Sequence, residues 1–356
     1  MKSNALSRRA GVAVVAAVTA ITGYAGYALT AGTAVEAADE NVVNIYSYRQ
    51  EFLIRPFLEA FEKDTGIKVN VVYAKKGLTE RLKAEGMNSP ADVLLTADIS
   101  RLDGPAKDDL LQPVSSDVLN TNVPSQYRHP DGLWFGLTTR ARLIYYAKDR
   151  VRKDELSTYE DLADPRWKGR ICVRPGSHVY NRALVASMIA AHGEAKAEEW
   201  TKALVANFAR KPQGNDRGQV KAIKEGVCDI AIGNSYYMGK MKTNEKKPEQ
   251  KEWAASAGIF FPNQGDRGTH VNISGAALTK SSKHRDNAVR LLEFLTEPLA
   301  QEMYASVNFE YPVKADVKWN GEVASWGKFK SDTVPLQTIA DLSPAASRMI
   351  DRAGWE

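Results

Sequence analysis

From residue 41 onward the apolar positions switch between two periods. Val42-Val43-Asn44-Ile45-Tyr46 reads as a strand. Phe57, Leu58 and Phe61 recur at helical spacing, and Thr65-Gly66 ends that helix. Val69, Val71 and Tyr73 alternate within a second strand, Lys68 to Tyr73. Leu78 to Met87 reads as a helix, and Asp92-Val93-Leu94-Leu95 as a third strand. Strands alternating with helices predict a parallel sheet with crossover connections.

A second unit of the same kind begins after Leu133-Trp134-Phe135-Gly136. Ala141 to Tyr146 is an extended apolar run, read as a segment crossing between lobes. Ser157-x-x-Glu160 has the form of a capping box for a short helix. Ile171-Cys172-Val173 predicts a strand. Helices follow over Val179 to His192, Glu198 to Phe208 and Gln219 to Glu225. The run from Asp229 to Ser235 predicts a buried parallel strand, with a helix starting at Tyr236. Later strands are read at Gly258-Ile259-Phe260-Phe261 and Gly275-Ala276-Ala277-Leu278, and an apolar helix over Asn287 to Leu295. Ligands of such sheets sit at the carboxyl ends of the strands. Two sheets therefore predict an α/β chain of two lobes facing a common cleft.

The chain has 356 residues, 44% hydrophobic and 26% charged, enough for two domains of ordinary size. Its beginning is different. Lys2, Arg8 and Arg9 precede an apolar, small-residue stretch from Ala10 to about Gly32, followed by Val35-Glu36-Ala37. This predicts an export signal over residues 1–38. Ser7-Arg8-Arg9 fits twin-arginine export, and the general pathway fits equally; an uncleaved membrane anchor is the alternative. Of the formal charge of +5, two units belong to this segment. The mild remainder, with no basic stripe interleaved with aromatics, argues against a nucleic-acid partner. Cys172 and Cys228 both sit in or beside strand-like runs. In an oxidising compartment they predict a disulfide, and two buried thiols are the alternative.

Candidate chemistry gathers where strands end. Tyr180 and the adjacent pair Tyr236-Tyr237 each follow a strand of the same lobe and start the next helix. If those strands are neighbours, three phenols converge. Phenolate is a hard anionic oxygen ligand, and three of them balance a trivalent cation. Each tyrosine alone reads as a packing residue; the convergence carries the expectation. Tyr48 reads as structural, and His178 as a ligand or a helix-start residue. No G-x-S-x-G, H-E-x-x-H, P-loop or G-x-G-x-x-G occurs, so the chain reads as a binding protein and not an enzyme.

Four stretches carry a family resemblance: Asn44-Ile45-Tyr46-Ser47-Tyr48-Arg49-Gln50, Trp134 to Arg142, Asp164-Pro165-Arg166-Trp167-Lys168-Gly169-Arg170, and Gly233-Asn234-Ser235-Tyr236-Tyr237. Over residues of about 41–340 the chain resembles the periplasmic ferric-iron-binding proteins of bacterial ABC transporters. The resemblance implies the two-lobed type II binding-protein fold, with an N-terminal lobe of residues 39–139 and 268–318 and a C-terminal lobe of 140–267 and 319–356. It implies ferric iron held by Tyr180, Tyr236 and Tyr237, and Arg140 meeting a synergistic anion such as carbonate or supporting the site. It also implies a periplasmic, monomeric protein that hands iron to an inner-membrane permease. Many family members carry a His or His-Tyr where this chain has Gln50-Glu51. Gln50, Glu51, water or an anion are then the N-lobe contacts. An oxyanion or small organic solute bound on the same fold, through arginines and helix N-termini, is the competing reading.

Overall fold

The computed structural model describes residues 41–319 and 321–356. The export signal expected over residues 1–38 lies outside the described residues. Among the described residues nine strands occur: β1 (Val42–Ser47), β2 (Lys68–Tyr73), β3 (Val93–Thr96), β4 (Phe135–Ala147), β5 (Ile171–Cys172), β6 (Ile230–Asn234), β7 (Ala257–Phe260), β8 (Val271–Leu278) and β9 (Tyr311–Pro312). They run in the order β2-β1-β3-β8-β4-β6-β5, with β7 and β9 also paired to β4.

The flanks of this order are parallel. β1 lies between β2 and β3, and β5 pairs with β6, all in parallel. The centre is not. β8 enters antiparallel between β3 and β4, and β4 is antiparallel to β6 and β7. Sequence period reports burial and not direction. Strands buried on both faces, such as β3, β6 and β8, read the same either way.

β4 is the seam. Phe135–Ala141 pairs with β8, while Arg142–Tyr146 pairs with β6. The crossing segment expected at Ala141 to Tyr146 is thus the second half of a thirteen-residue strand. One strand serves both sheets, so residues on it face both sides of the junction.

Each sheet is covered by helices whose apolar stripes match it. Phe57 and Phe61, on the helix Glu51–Thr65, pack against Tyr304 and Phe294 at ring centroid distances of 4.2 and 5.5 Å. Burying each such ring is worth about 1.5–3 kcal/mol. Gly66 takes the left-handed conformation (φ 72°) that closes this helix. The helix Val179–His192 is buried over most of its surface, among Trp167, Trp200, Met349 and Trp355. Two helices begin earlier than expected, at Glu194 and Asp216, the second capped by Asn215. Ser157 does not form the expected capping box. The turn Glu160–Ala163 takes its cap from Thr158, whose hydroxyl accepts from the Asp161 amide at 3.1 Å, and the Glu160 carboxylate turns away to Asn263 and His192.

Cys172 in β5 and Cys228, just ahead of β6, form a disulfide, with Cα atoms 5.8 Å apart. Both are buried. Of the two readings of the cysteines, the bridge is the one the fold adopts. No helix among the described residues is long and apolar enough to cross a membrane.

Candidate metal centre

The parallel register Ile171↔Ile230 and Cys172↔Ala231 places the carboxyl ends of β5 and β6 side by side. Tyr180 is the second residue of the helix Val179–His192. Tyr236 and Tyr237 open the short helix Tyr236–Lys242. The three phenols meet as the spacing predicts. The Tyr180 and Tyr236 hydroxyls lie 3.3 Å apart, and the Tyr236 and Tyr237 rings overlap at 4.2 Å between centroids.

Burial, followed by the neighbouring Tyr180, raises the Tyr236 phenol well above its ordinary value, and Tyr237 is raised for the same two reasons. Both are therefore protonated at neutral pH in the metal-free protein. His178 is not free to ligate through Nδ1. That atom accepts from the Tyr180 amide at 3.3 Å as the helix cap. Burial and then Arg174 push the imidazole down to about 3, so it is neutral.

Positive charge surrounds Tyr180. The guanidiniums of Arg174, Arg140 and Arg142 lie 5.4, 5.6 and 5.8 Å from its ring centroid. Arg142 and Arg174 both pair with Asp216, at the start of its own helix. Burial alone would raise the Asp216 carboxyl, but Arg142 and Arg174 outweigh it and hold the group below the usual carboxylate range. Arg140 is 1% exposed; it donates to Ser274 Oγ at 3.1 Å and to the Ala97 carbonyl.

The opposite wall comes from the end of β1 and from a segment far along the chain. Tyr48, Arg49, Gln50, Ala97 and Glu310 line, with Arg140, Tyr180 and Tyr236, a cavity of about 40 Å³. Gln50 is at this wall as expected. Glu51 is not. It opens the helix Glu51–Thr65 on the solvent side and pairs with Arg55 one turn on, half exposed. Gln50 is the cap residue, with extended backbone (φ -68°, ψ 141°), so the chain turns between it and Glu51, the first helical residue, and the two side chains leave in different directions. The Tyr48 hydroxyl is spent on Thr79, accepting from its amide at 2.7 Å, as its structural reading implies.

Glu310 was not foreseen. It reaches the cleft because Phe309 adopts a left-handed backbone (φ 59°) and its ring packs flat on Gly239, where a Cβ would stand 2.3 Å from it. That contact docks the segment before β9 onto the helix of Tyr236 and Tyr237. The only trace in the sequence is the glycine inside a short helix.

Among the described residues no group of three or more His, Cys, Asp or Glu is poised for a metal. A larger cavity of about 630 Å³ opens elsewhere, between Ser125–Trp134 and Ser331–Gln337, and contains none of the phenols.

The model of a family described as bacterial extracellular solute-binding protein matches residues 88–331. The chain belongs to that family. Iron uptake protein A1 of Synechocystis sp. is 48% identical over 319 residues, 89% of this chain and 88% of that one. The crystal structure of Pasteurella haemolytica apo ferric ion-binding protein A superposes with a TM-score of 0.85 at 52% identity, covering 88% of this chain and 98% of that one. The Trichodesmium protein IdiA (FutA), in complex with iron and citrate ligands, superposes with a TM-score of 0.84 at 44% identity, covering 88% and 100%. The fold is thus the two-lobed type II binding-protein fold, and the family is one of transport binding proteins, not enzymes.

Proposed function

We propose that the protein captures ferric iron in the cleft, as phenolates of Tyr180, Tyr236 and Tyr237, and delivers it to an ABC permease at the inner membrane. The observation that carries this reading is the convergence of three phenols on one point, with two hydroxyls 3.3 Å apart. Three phenolates neutralise a 3+ ion, and hard oxygen donors suit it. The iron-linked names of the relatives point the same way.

The chain's own groups perform the steps of capture. The phenols lose their protons to solvent as iron binds. The guanidiniums of Arg140, Arg142 and Arg174 offset the negative charge gathered on Tyr180. The N-lobe wall supplies Gln50 and an anion such as carbonate in place of the imidazole that many family members carry, with Arg140 supporting the site. The lobes, 39–139 with 268–318 and 140–267 with 319–356, close about the β4 and β8 crossing and open again at the permease. The protein acts as an exported monomer.

Metal analysis of protein purified without chelator tests this reading. Iron close to one atom per chain supports it. Metal-free protein that takes up no ferric iron but binds a free oxyanion would favour the competing oxyanion reading.

A further inference from the structure

The cavity of about 630 Å³ that contains none of the phenols has a donor without a partner in its wall. Trp134, just ahead of β4, lines this cavity and is 2% exposed, yet its indole N–H is unpaired. An unpaired buried donor carries a desolvation cost comparable with a lost hydrogen bond, so it calls for an occupant. His129 stands beside it, the two rings meeting edge to face at 5.8 Å between centroids. The Asp131 amide donates to His129 Nδ1 at 3.1 Å, which puts the proton of the neutral ring on Nε2. One wall therefore holds two N–H donors, an indole and an imidazole.

The rest of the lining decides the class of ligand. Val271, Val334, Pro335 and Leu336 supply an apolar surface, and Tyr127 adds a third aromatic ring. The Arg128 guanidinium is turned to its own segment, donating to the Val123 carbonyl at 3.0 Å and to Asn120 at 2.8 Å. Asp332 is paired with Arg267. A bound carboxylate would meet the like charge of Asp332 and find the Arg128 guanidinium engaged elsewhere. Small-molecule sites are cavities of roughly 300–1,000 Å³ with apolar and aromatic walls and a few polar groups. A planar aromatic molecule carrying an uncharged carbonyl matches this lining.

The cavity also touches the crossing between the sheets. Val271 pairs with Ala141, the last residue of β4 to pair with β8 before Arg142 pairs with β6. Ser331 bridges to Thr269, two residues ahead of β8, and the Asp332 amide donates to the Thr269 carbonyl at 2.8 Å. On the lobe boundaries proposed for closure, 125–134 belongs to one lobe and 331–337 to the other. We propose that this cavity is a second binding site, for an uncharged planar aromatic carbonyl compound. Its carbonyl oxygen accepts from the Trp134 and His129 N–H groups, and its occupancy is coupled to closure of the metal cleft. The site stands independently of the phenolate reading; the coupling rests on it.

The test is calorimetric titration of the iron-free protein with benzamide, in mildly alkaline buffer where imidazole is neutral. Toluene and benzoate are the controls. Benzamide binds at one saturable site. Trp134→Phe keeps an aromatic ring and removes the donor; it weakens benzamide by about five- to tenfold, the worth of one neutral hydrogen bond, and leaves toluene within about twofold. His129→Phe gives the same pattern, and covers the case in which melting shows that the indole is needed for folding. Benzoate binds at least about tenfold more weakly than benzamide. Iron loading changes the benzamide affinity by about fivefold or more, and saturating benzamide shifts iron affinity by the same factor. The site is overturned if benzamide does not saturate, or if the folded variants bind it as the wild type does. Equal losses for benzamide and toluene overturn recognition through the donors. Tighter binding of benzoate overturns the uncharged class. Equal benzamide affinity with and without iron overturns the coupling. A wild type that takes up no iron removes the phenolate reading and the coupling with it, while the iron-free titration still decides the site.

Discussion

Cys172 and Cys228 are bonded to each other, and each stands eight residues ahead of one of the phenols whose hydroxyls touch, Tyr180 and Tyr236. The bridge ties the two strands that launch the metal-binding tyrosines. Closing a loop of 56 residues in the unfolded chain stabilises the fold by about 2–5 kcal/mol. Mass spectrometry of non-reduced protein should find no free thiol. The C172S/C228S variant should melt at a lower temperature and bind iron more weakly. Two free thiols, or an unchanged melt, would contradict this role.

Tyr180→Phe, Tyr236→Phe and Tyr237→Phe each remove one hydroxyl and leave the ring in place. Iron affinity should fall by more than about 100-fold in each, since losing even an outer partner of a metal ligand costs 10–100-fold. The melting temperature of the iron-free protein should change little. Competition titrations in which all three variants match the parent would exclude the phenols as ligands.

Affinity for iron should fall with acid. Burial holds the Tyr236 and Tyr237 phenols above their ordinary value in the iron-free protein, so they bind iron only by releasing protons. Raising the pH removes the competing protons and strengthens binding; lowering it does the reverse. Calorimetry in buffers of different ionisation enthalpy should register proton release. A pH-independent affinity with none released would rule out phenolate ligation.

Asp216 neutralises two buried guanidiniums, and its loss is felt by the fold. Asp216→Asn strands Arg142 and Arg174 and should cost about 3–5 kcal/mol in denaturant unfolding of the iron-free protein. Although burial opposes the charge, Arg142 and Arg174 keep the Asp216 carboxyl below its unfolded value. The ion-pair stability is therefore present above the usual carboxylate range and is lost as pH falls through the folded value. A variant as stable as the parent, with the same acid transition, would contradict this.

What the sequence made legible was local. The run Ile230 to Asn234 reads as a buried strand because its apolar residues are continuous. The Tyr180 and Tyr236 positions follow from strand ends and helix starts, which lie close in sequence. Strand direction at β8 and β4 was hidden, since burial on both faces leaves the same pattern for either direction. Glu51 and Gln50 could not be separated without knowing that the helix starts between them, which leaves Gln50 on the cleft wall and Glu51 beside Arg55. Glu310 arrives across 172 residues to meet Thr138, and the pairing of Asp216 with Arg142 spans 74. Such long-range pairings depend on the assembled fold and have no signature in local pattern.

The most direct measurement is the visible absorption spectrum of the protein as ferric iron is added to one equivalent. Phenolate-to-iron charge transfer through Tyr180, Tyr236 and Tyr237 predicts an orange to red protein whose band saturates at one iron per chain and weakens in each Tyr→Phe variant. A protein that binds iron and stays colourless, or shows the same band after all three tyrosines are replaced by phenylalanine, would contradict ligation by these phenols.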